Sequence, residues 1–161
     1  MSEEVQAAAW PPRKVVCVGT VVCDGERILL VRQAAGTSLA GKWSIPWGVV
    51  EAEEAPEAAA LRETWEEARV KAEIEGLLGY QNFAWESSVA FVYLCRHVAG
   101  EPAGDGAETD RAAYFSAADL DALAESVEAW CAWIVRRVLA GNYRLLPAEP
   151  DNPSRPLLAF F

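Results

Sequence analysis

Histidine occurs once in this 161-residue chain, as His97. A multi-histidine metal site or a Ser-His-Asp triad therefore has almost no material to work with. The four cysteines, Cys17, Cys23, Cys95 and Cys131, show neither the close pairs of a zinc site nor the density of a disulfide scaffold, and read as reduced core residues. No apolar run reaches the ~18 residues that would span a bilayer. The segment Met1 to Trp10 carries acids where a secretory leader would be basic and apolar. A soluble, cytoplasmic protein without membrane contact is expected. Basic residues are scarce: 14 Lys and Arg face 24 Asp and Glu, a net charge of −10. That balance argues against extended nucleic-acid binding, which needs cations to displace counterions from phosphates. Oxygen ligands are the chemistry that remains.

What the chain does have is 52% hydrophobic residues, ample for one core. Residues 1–14 read as a loose arm, 15–141 as a domain and 142–161 as an extended tail, with prolines at 147, 150, 153 and 156 and an apolar end at Leu157, Leu158, Phe160 and Phe161. Val15–Val22 and Arg27–Val31 are β-rich and flank Asp24-Gly25, a favoured two-residue hairpin turn. Ala34–Glu53 mixes Gly36, Gly41, Pro46 and Gly48 with Trp43 and Trp47, which predicts a shaped loop bordering the site. Pro56 suits a helix's first turn, and Ala58–Arg69 continues it without Gly or Pro. Lys71–Phe83 and Val89–Cys95 read as strands, the second buried on both faces. Gly100–Asp110 is a polar loop. The Ser116/Asp119 start and the period Val127, Trp130, Cys131, Ile134, Val138, Leu139 predict one long closing helix that ends near Gly141.

Nine glutamates between Glu51 and Glu75 face only Arg62, Arg69 and Lys71. Such a run is often a solvated helix face, but its spacing points elsewhere. Offsets of three and four put Glu63, Glu66 and Glu67 on one side of the helix, so three carboxylates converge. Like charges there destabilise a helix unless a cation compensates, and a hard divalent metal is the natural partner. Arg62, four residues before Glu66, has the spacing to orient a carboxylate or to form an ordinary surface pair.

The segment from Gly48 through Glu54 and Arg62-Glu63 to Glu66-Glu67 and Val70 resembles, in register, the signature of the Nudix (MutT-like) hydrolases: Gly, five residues, Glu, seven residues, Arg-Glu, an aliphatic, any residue, Glu-Glu, any residue, Gly, aliphatic. The resemblance implies an α/β fold, a Nudix-type α/β/α sandwich with a mixed β-sheet. It implies that Glu63, Glu66, Glu67 and the backbone carbonyl of Trp47 bind Mg²⁺ or Mn²⁺, and that Arg62 and Glu54 hold those groups in place beside Gly48. The implied substrate is a small nucleoside diphosphate linked to another moiety: ADP-ribose, a nucleotide sugar, a dinucleotide or a nucleoside triphosphate. The proton acceptor is either a signature carboxylate or Glu108, which lies six residues before Tyr114-Phe115 in a pattern similar to the family's. Glu66, Glu67, Arg62 and Glu108 are the catalytic candidates.

Four departures stand out. Arg69 replaces the signature Gly and predicts altered helix termination. Thr64 stands where an aliphatic is usual, and Trp47 and Glu53 where Gly is frequent. The Trp47 change leaves open an alternative, a nucleotide-sensing module without hydrolysis. An isoprenoid diphosphate isomerase would want a Cys in the site, and none of the four lies in an evident site loop. Trp43, Trp47, Phe83 and Trp85 are candidates for stacking on a base, against simple packing. Leu61 and Trp65 lie on the opposite side of the helix, where the apolar tail or a second copy in a homodimer would cover them.

Overall fold

The computed structural model describes residues 14–83 and 87–147. The expectations for the N-terminal arm, for Trp85 and for the tail beyond Pro147 lie outside the described residues. Strands β1 (Val15–Asp24), β2 (Arg27–Gln33), β3 (Trp43–Ser44) and β4 (Trp47–Val49) precede helix α1 (Pro56–Ala68). Strands β5 (Lys71–Phe83), β6 (Ser88–Ala99) and β7 (Thr109–Phe115) follow. Helices α2 (Ala117–Leu123) and α3 (Ala129–Leu139) and the short strand β8 (Leu146–Pro147) complete the order.

The first hairpin pairs Asp24 with Arg27, so its two-residue turn is Gly25-Glu26, one position later than expected. Gly25, with φ 60°, supplies the positive φ that the first position of such a turn requires. The sheet runs β3-β2-β1-β6-β5-β8, with β4 beside β1 and β7 beside β2. It is mixed, because β1 and β6 are parallel from Val15↔Ser88 to Cys23↔Arg96 while the other pairs are antiparallel. β1 and β2 share only the pairs next to their turn and then diverge. The segment expected to be all loop fills the fork: β4 takes the edge of β1 at Cys17–Gly19, and β3 that of β2 at Val31–Arg32.

Side-chain alternation sorts the core into two layers. Val18, Val22, Leu29, Val31, Tyr93 and Cys95 face α1 and its small residues Ala59, Ala60 and Ala68. Their neighbours Val21, Ile28, Leu30, Val92 and Leu94 face Leu120 of α2 and Cys131, Val135 and Val138 of α3. The fold is therefore the α/β/α sandwich with a mixed sheet. Cys17, Cys95 and Cys131 are buried and Cys23 is half-buried. Burial pushes the Cys23 thiol up to about 11. Buried Thr64 fits because its hydroxyl donates to the Ala60 carbonyl at 2.8 Å and lies 2.6 Å from the Thr20 hydroxyl, so the α1–β1 contact keeps its buried polar groups satisfied.

Two corrections follow at helix ends. The closing helix is two: α2 starts at the Ser116/Asp119 capping box and stops at Ala124, whose φ is 46°. After a 3-10 turn over 124–126, α3 restarts with Glu128 accepting the Trp130 and Cys131 amides. The strand β7 begins within the Gly100–Asp110 segment expected as loop and runs on through 111–115, where Ala112 and Ala113 lack the β-branched signal. Arg69 does not alter the end of α1, since it takes the left-handed conformation itself (φ 58°, ψ 22°) and donates to the Trp65 carbonyl. That conformation strains a residue bearing a Cβ. Replacing Arg69 with Gly should raise stability by about 0.5–1 kcal/mol, a gain of roughly 1–4 °C in Tm. An unchanged or lower midpoint would show that the strain is relieved elsewhere.

Candidate active site

Pro56, in the first turn of α1, opens a helix whose second half carries Arg62, Glu63, Glu66 and Glu67. Arg62 is the hub. Its Nε and Nη2 each reach one oxygen of Glu54 at 2.9 Å, a two-pronged pair from loop to helix. Nη1 donates to Glu63 at 2.8 Å and to Glu66 at 3.0 Å, and Nη2 also meets the Val49 carbonyl at 3.1 Å. One guanidinium thus joins three carboxylates and the end of β4. The Arg62 pairing holds the Glu54 carboxyl below the ordinary range, and chiefly the Glu54 contact raises the Arg62 pKa.

The backbone of β4 forms the other wall. Val50 donates to the Val16 carbonyl and Thr20 to that of Pro46, so the ladder bonds fall on either side of the Gly19–Trp47 pair. Trp47 is then at a non-bonded position, and its N–H and C=O both point away from β1. Its N–H donates to Glu67 at 2.9 Å. Gly48 lies directly under Glu63: a Cβ there would come within 2.0 Å of the Glu63 carboxyl carbon. The ring of Trp47 is accommodated because Gly19 lies opposite, where a Cβ would come within 2.8 Å of it.

Glu67 is only 3% exposed. Burial, with the nearby charges of Glu63, Glu108 and Asp105, pushes it up to about 8 against the opposing Trp47 N–H. Burial likewise raises Glu63. The expected convergence takes a different form: the carboxylates meet Arg62 and the Trp47 amide rather than one another. Among the described residues no three donors are gathered in metal-coordinating geometry. The reason is electrostatic, since like charges repel and the Arg62 guanidinium and the Trp47 N–H are the positive groups within reach. The donor set nevertheless fits a hard divalent cation: all-oxygen ligands, a glycine whose missing side chain makes room, and buried acids short of positive charge.

Glu67 opens into a cleft of about 640 Å³ that also borders Trp47, Phe83, Glu108, Glu128 and Trp130. Glu108 is brought there by an Asx turn in which Asp105 Oδ1 accepts the amides of Ala107, Glu108 and Thr109. Thr109 anchors that turn to α1 by donating to the Glu67 carbonyl at 2.6 Å. The rings of Trp47, Phe83 and Trp130 meet edge to face, with centroids 5.5 to 6.3 Å apart, and form one aromatic wall. Trp43 is not part of it: it is buried against Phe115 at 4.8 Å. Trp130 was missed as a site residue because its helical spacing is equally that of a core position. Trp65, on the far side of α1, is 42% exposed, with the Lys71 ammonium 5.7 Å from its ring centroid.

A lowered Glu54 pKa contributes stability above its unfolded value that is lost as pH falls through its folded one. Arg62→Ala should therefore be less stable than the parent at pH 7, with the gap closing below roughly pH 4. Denaturant unfolding at several pH values measures this, and a pH-independent gap would remove the ion pairs as its cause.

The family model described as NUDIX domain matches residues 13–134. A MutT-like protein of Streptomyces ambofaciens is 34% identical over 100 residues, 62% of this chain and 62% of that protein. An RNA pyrophosphohydrolase of Roseobacter denitrificans is 39% identical over 72 residues, 45% of this chain and 42% of that protein. The matches thus span less than two thirds of either relative. The crystal structure of a NUDIX hydrolase from Nitrosomonas europaea superposes with a TM-score of 0.72 at 22% identity, covering 81% of this chain and 73% of that one, a likeness of fold.

Proposed function

The chain belongs to the NUDIX domain family, and from that premise we propose that it is a metal-dependent hydrolase of the pyrophosphate linkage in a nucleoside diphosphate joined to another moiety. The observation that carries this reading is the Arg62 fork, which holds Glu54, Glu63 and Glu66 beside Gly48 while Glu67 opens into the aromatic-walled cleft. Supporting it are the names of the relatives, a MutT-like protein and an RNA pyrophosphohydrolase.

In this reading Glu63, Glu66, Glu67 and the Trp47 carbonyl hold Mg²⁺ or Mn²⁺. When bound, the ion supplies Lewis acidity that neutralises phosphate oxygens and acidifies water. Arg62, braced by Glu54, keeps Glu63 and Glu66 beside Gly48, from where their carboxylates would turn to the ion. Trp47, Phe83 and Trp130 offer apolar ring surface to a base. Glu108, or a signature carboxylate not engaged by the ion, accepts the proton from the water that attacks phosphorus. One P–O bond of the anhydride breaks, and the products are a nucleotide or phosphate and the remaining phosphorylated half.

Product release from ADP-ribose, nucleotide sugars, dinucleoside polyphosphates and nucleoside triphosphates, with Mg²⁺ or Mn²⁺ and with chelator, tests the reading. Cleavage of at least one class should require metal, and Glu66→Gln should lower kcat about 10²-fold or more with the fold intact by circular dichroism. Full activity in that variant would remove Glu66 from its assigned role. Turnover undiminished by chelator would remove the metal.

A further inference from the structure

Beyond Trp130 the cleft has a neighbour. A groove of about 220 Å³ runs between β5 and α3, and Trp130 lines both spaces, so a single indole separates them. The groove is smaller than the roughly 300–1,000 Å³ that holds a whole drug-sized ligand, and suits a part of one. Its rim is aromatic and exposed: Tyr80 is 72%, Trp133 55% and Tyr143 39% accessible. Its charge is opposite to that of the chain. Arg137 and Arg144 line it, and among the described residues neither has a carboxylate partner, unlike Arg136, which pairs with Asp121 at 2.6 Å. Arg137 lies 5.1 Å from the Trp133 ring centroid, so cation and ring surface are presented together. The shared wall adds a donor, because the Trp130 Nε1–H is buried with no acceptor among the described residues.

Guanidiniums with no carboxylate partner among the described residues, beside exposed rings, in a protein of net charge −10, match the chemistry of a base carrying phosphate. Rings stack on any base, and the cations answer its phosphate. We infer that the β5–α3 groove is a subsite for a second nucleotide unit of the substrate, with Trp133 and Tyr80 taking its base and Arg137 and Arg144 its phosphate. The first unit occupies the cleft, and the chain passes over Trp130. This rests on the hydrolase reading only in making the occupant a part of the substrate. Two sources offer such a unit: a free dinucleoside polyphosphate and the second residue of a 5′-phosphorylated RNA.

The test is calorimetric, on the full chain in chelator so that binding is read whether or not turnover exists. ATP, diadenosine tetraphosphate and the triphosphorylated diadenylate pppApA are titrated in turn into the parent, Trp133→Ala and Arg137→Ala. At least one two-base ligand should bind the parent about tenfold more tightly than ATP. Both variants should cancel that advantage and leave ATP affinity unchanged. Advantage for diadenosine tetraphosphate alone identifies the free dinucleotide as the source; advantage for pppApA alone identifies the RNA end. Equal affinity for all three ligands, or variants that weaken ATP as much as the two-base ligands, would overturn the subsite. A groove that binds two-base ligands in a protein that hydrolyses nothing in the panel above would instead keep the subsite and remove the hydrolase.

Discussion

Arg62 must hold together carboxylates that would otherwise repel. Glu54, Glu63 and Glu66 all lie within 3.0 Å of its nitrogens, and the same guanidinium touches the end of β4. A lysine could neutralise one of these acids but has no planar fork with which to bridge loop, helix and strand at once. The path of the loop before α1 and the orientation of Glu54, Glu63 and Glu66 pass through this side chain, while Glu67 turns to the Trp47 amide.

The rest of the architecture serves that placement. The divergence of β1 and β2 opens a fork, and β4 enters it with the Trp47 backbone turned outward. Alanines at 59, 60 and 68 bring α1 close to the sheet, and the Thr20–Thr64 contact joins helix to strand with a buried pair of hydroxyls. The departures from the family signature are compensated locally. Gly19 makes room for Trp47, Thr20 partners Thr64, and Arg69 accepts the left-handed conformation that glycine would take at less cost.

The strands β1, β2 and β6 were legible as runs of aliphatic and β-branched residues and α1 from its 3.6-residue spacing, because these are local properties, while the layered sandwich came from the resemblance to the family signature. Local pattern failed where the outcome depends on tertiary partners. β7 exists because β2 offers it an edge from Ile28 to Gln33, and no local pattern in Asp110 to Ala113 announces that. The split between α2 and α3 at Ala124 replaces no Gly or Pro, so nothing in the spacing marks it. For the site, spacing identified which acids share a face but not where they turn. Glu67 seeks the Trp47 amide, and Glu63 lies over Gly48, through contacts spanning 15 to 20 positions along the chain. Trp130 shows the same limit, since one helical period serves both a core residue and the wall between two cavities.

The central claim is that these acids and the Trp47 carbonyl form the seat of a divalent cation. Its most direct measurement is a crystal grown with Mn²⁺ and an anomalous difference map at the manganese edge. The account predicts a peak among Glu63, Glu66, Glu67 and the Trp47 carbonyl, with Glu63 and Glu66 drawn off Arg62 and Glu67 drawn off the Trp47 amide. Saturating Mn²⁺ with the Arg62 contacts unchanged, and any peak elsewhere on the chain, would contradict it.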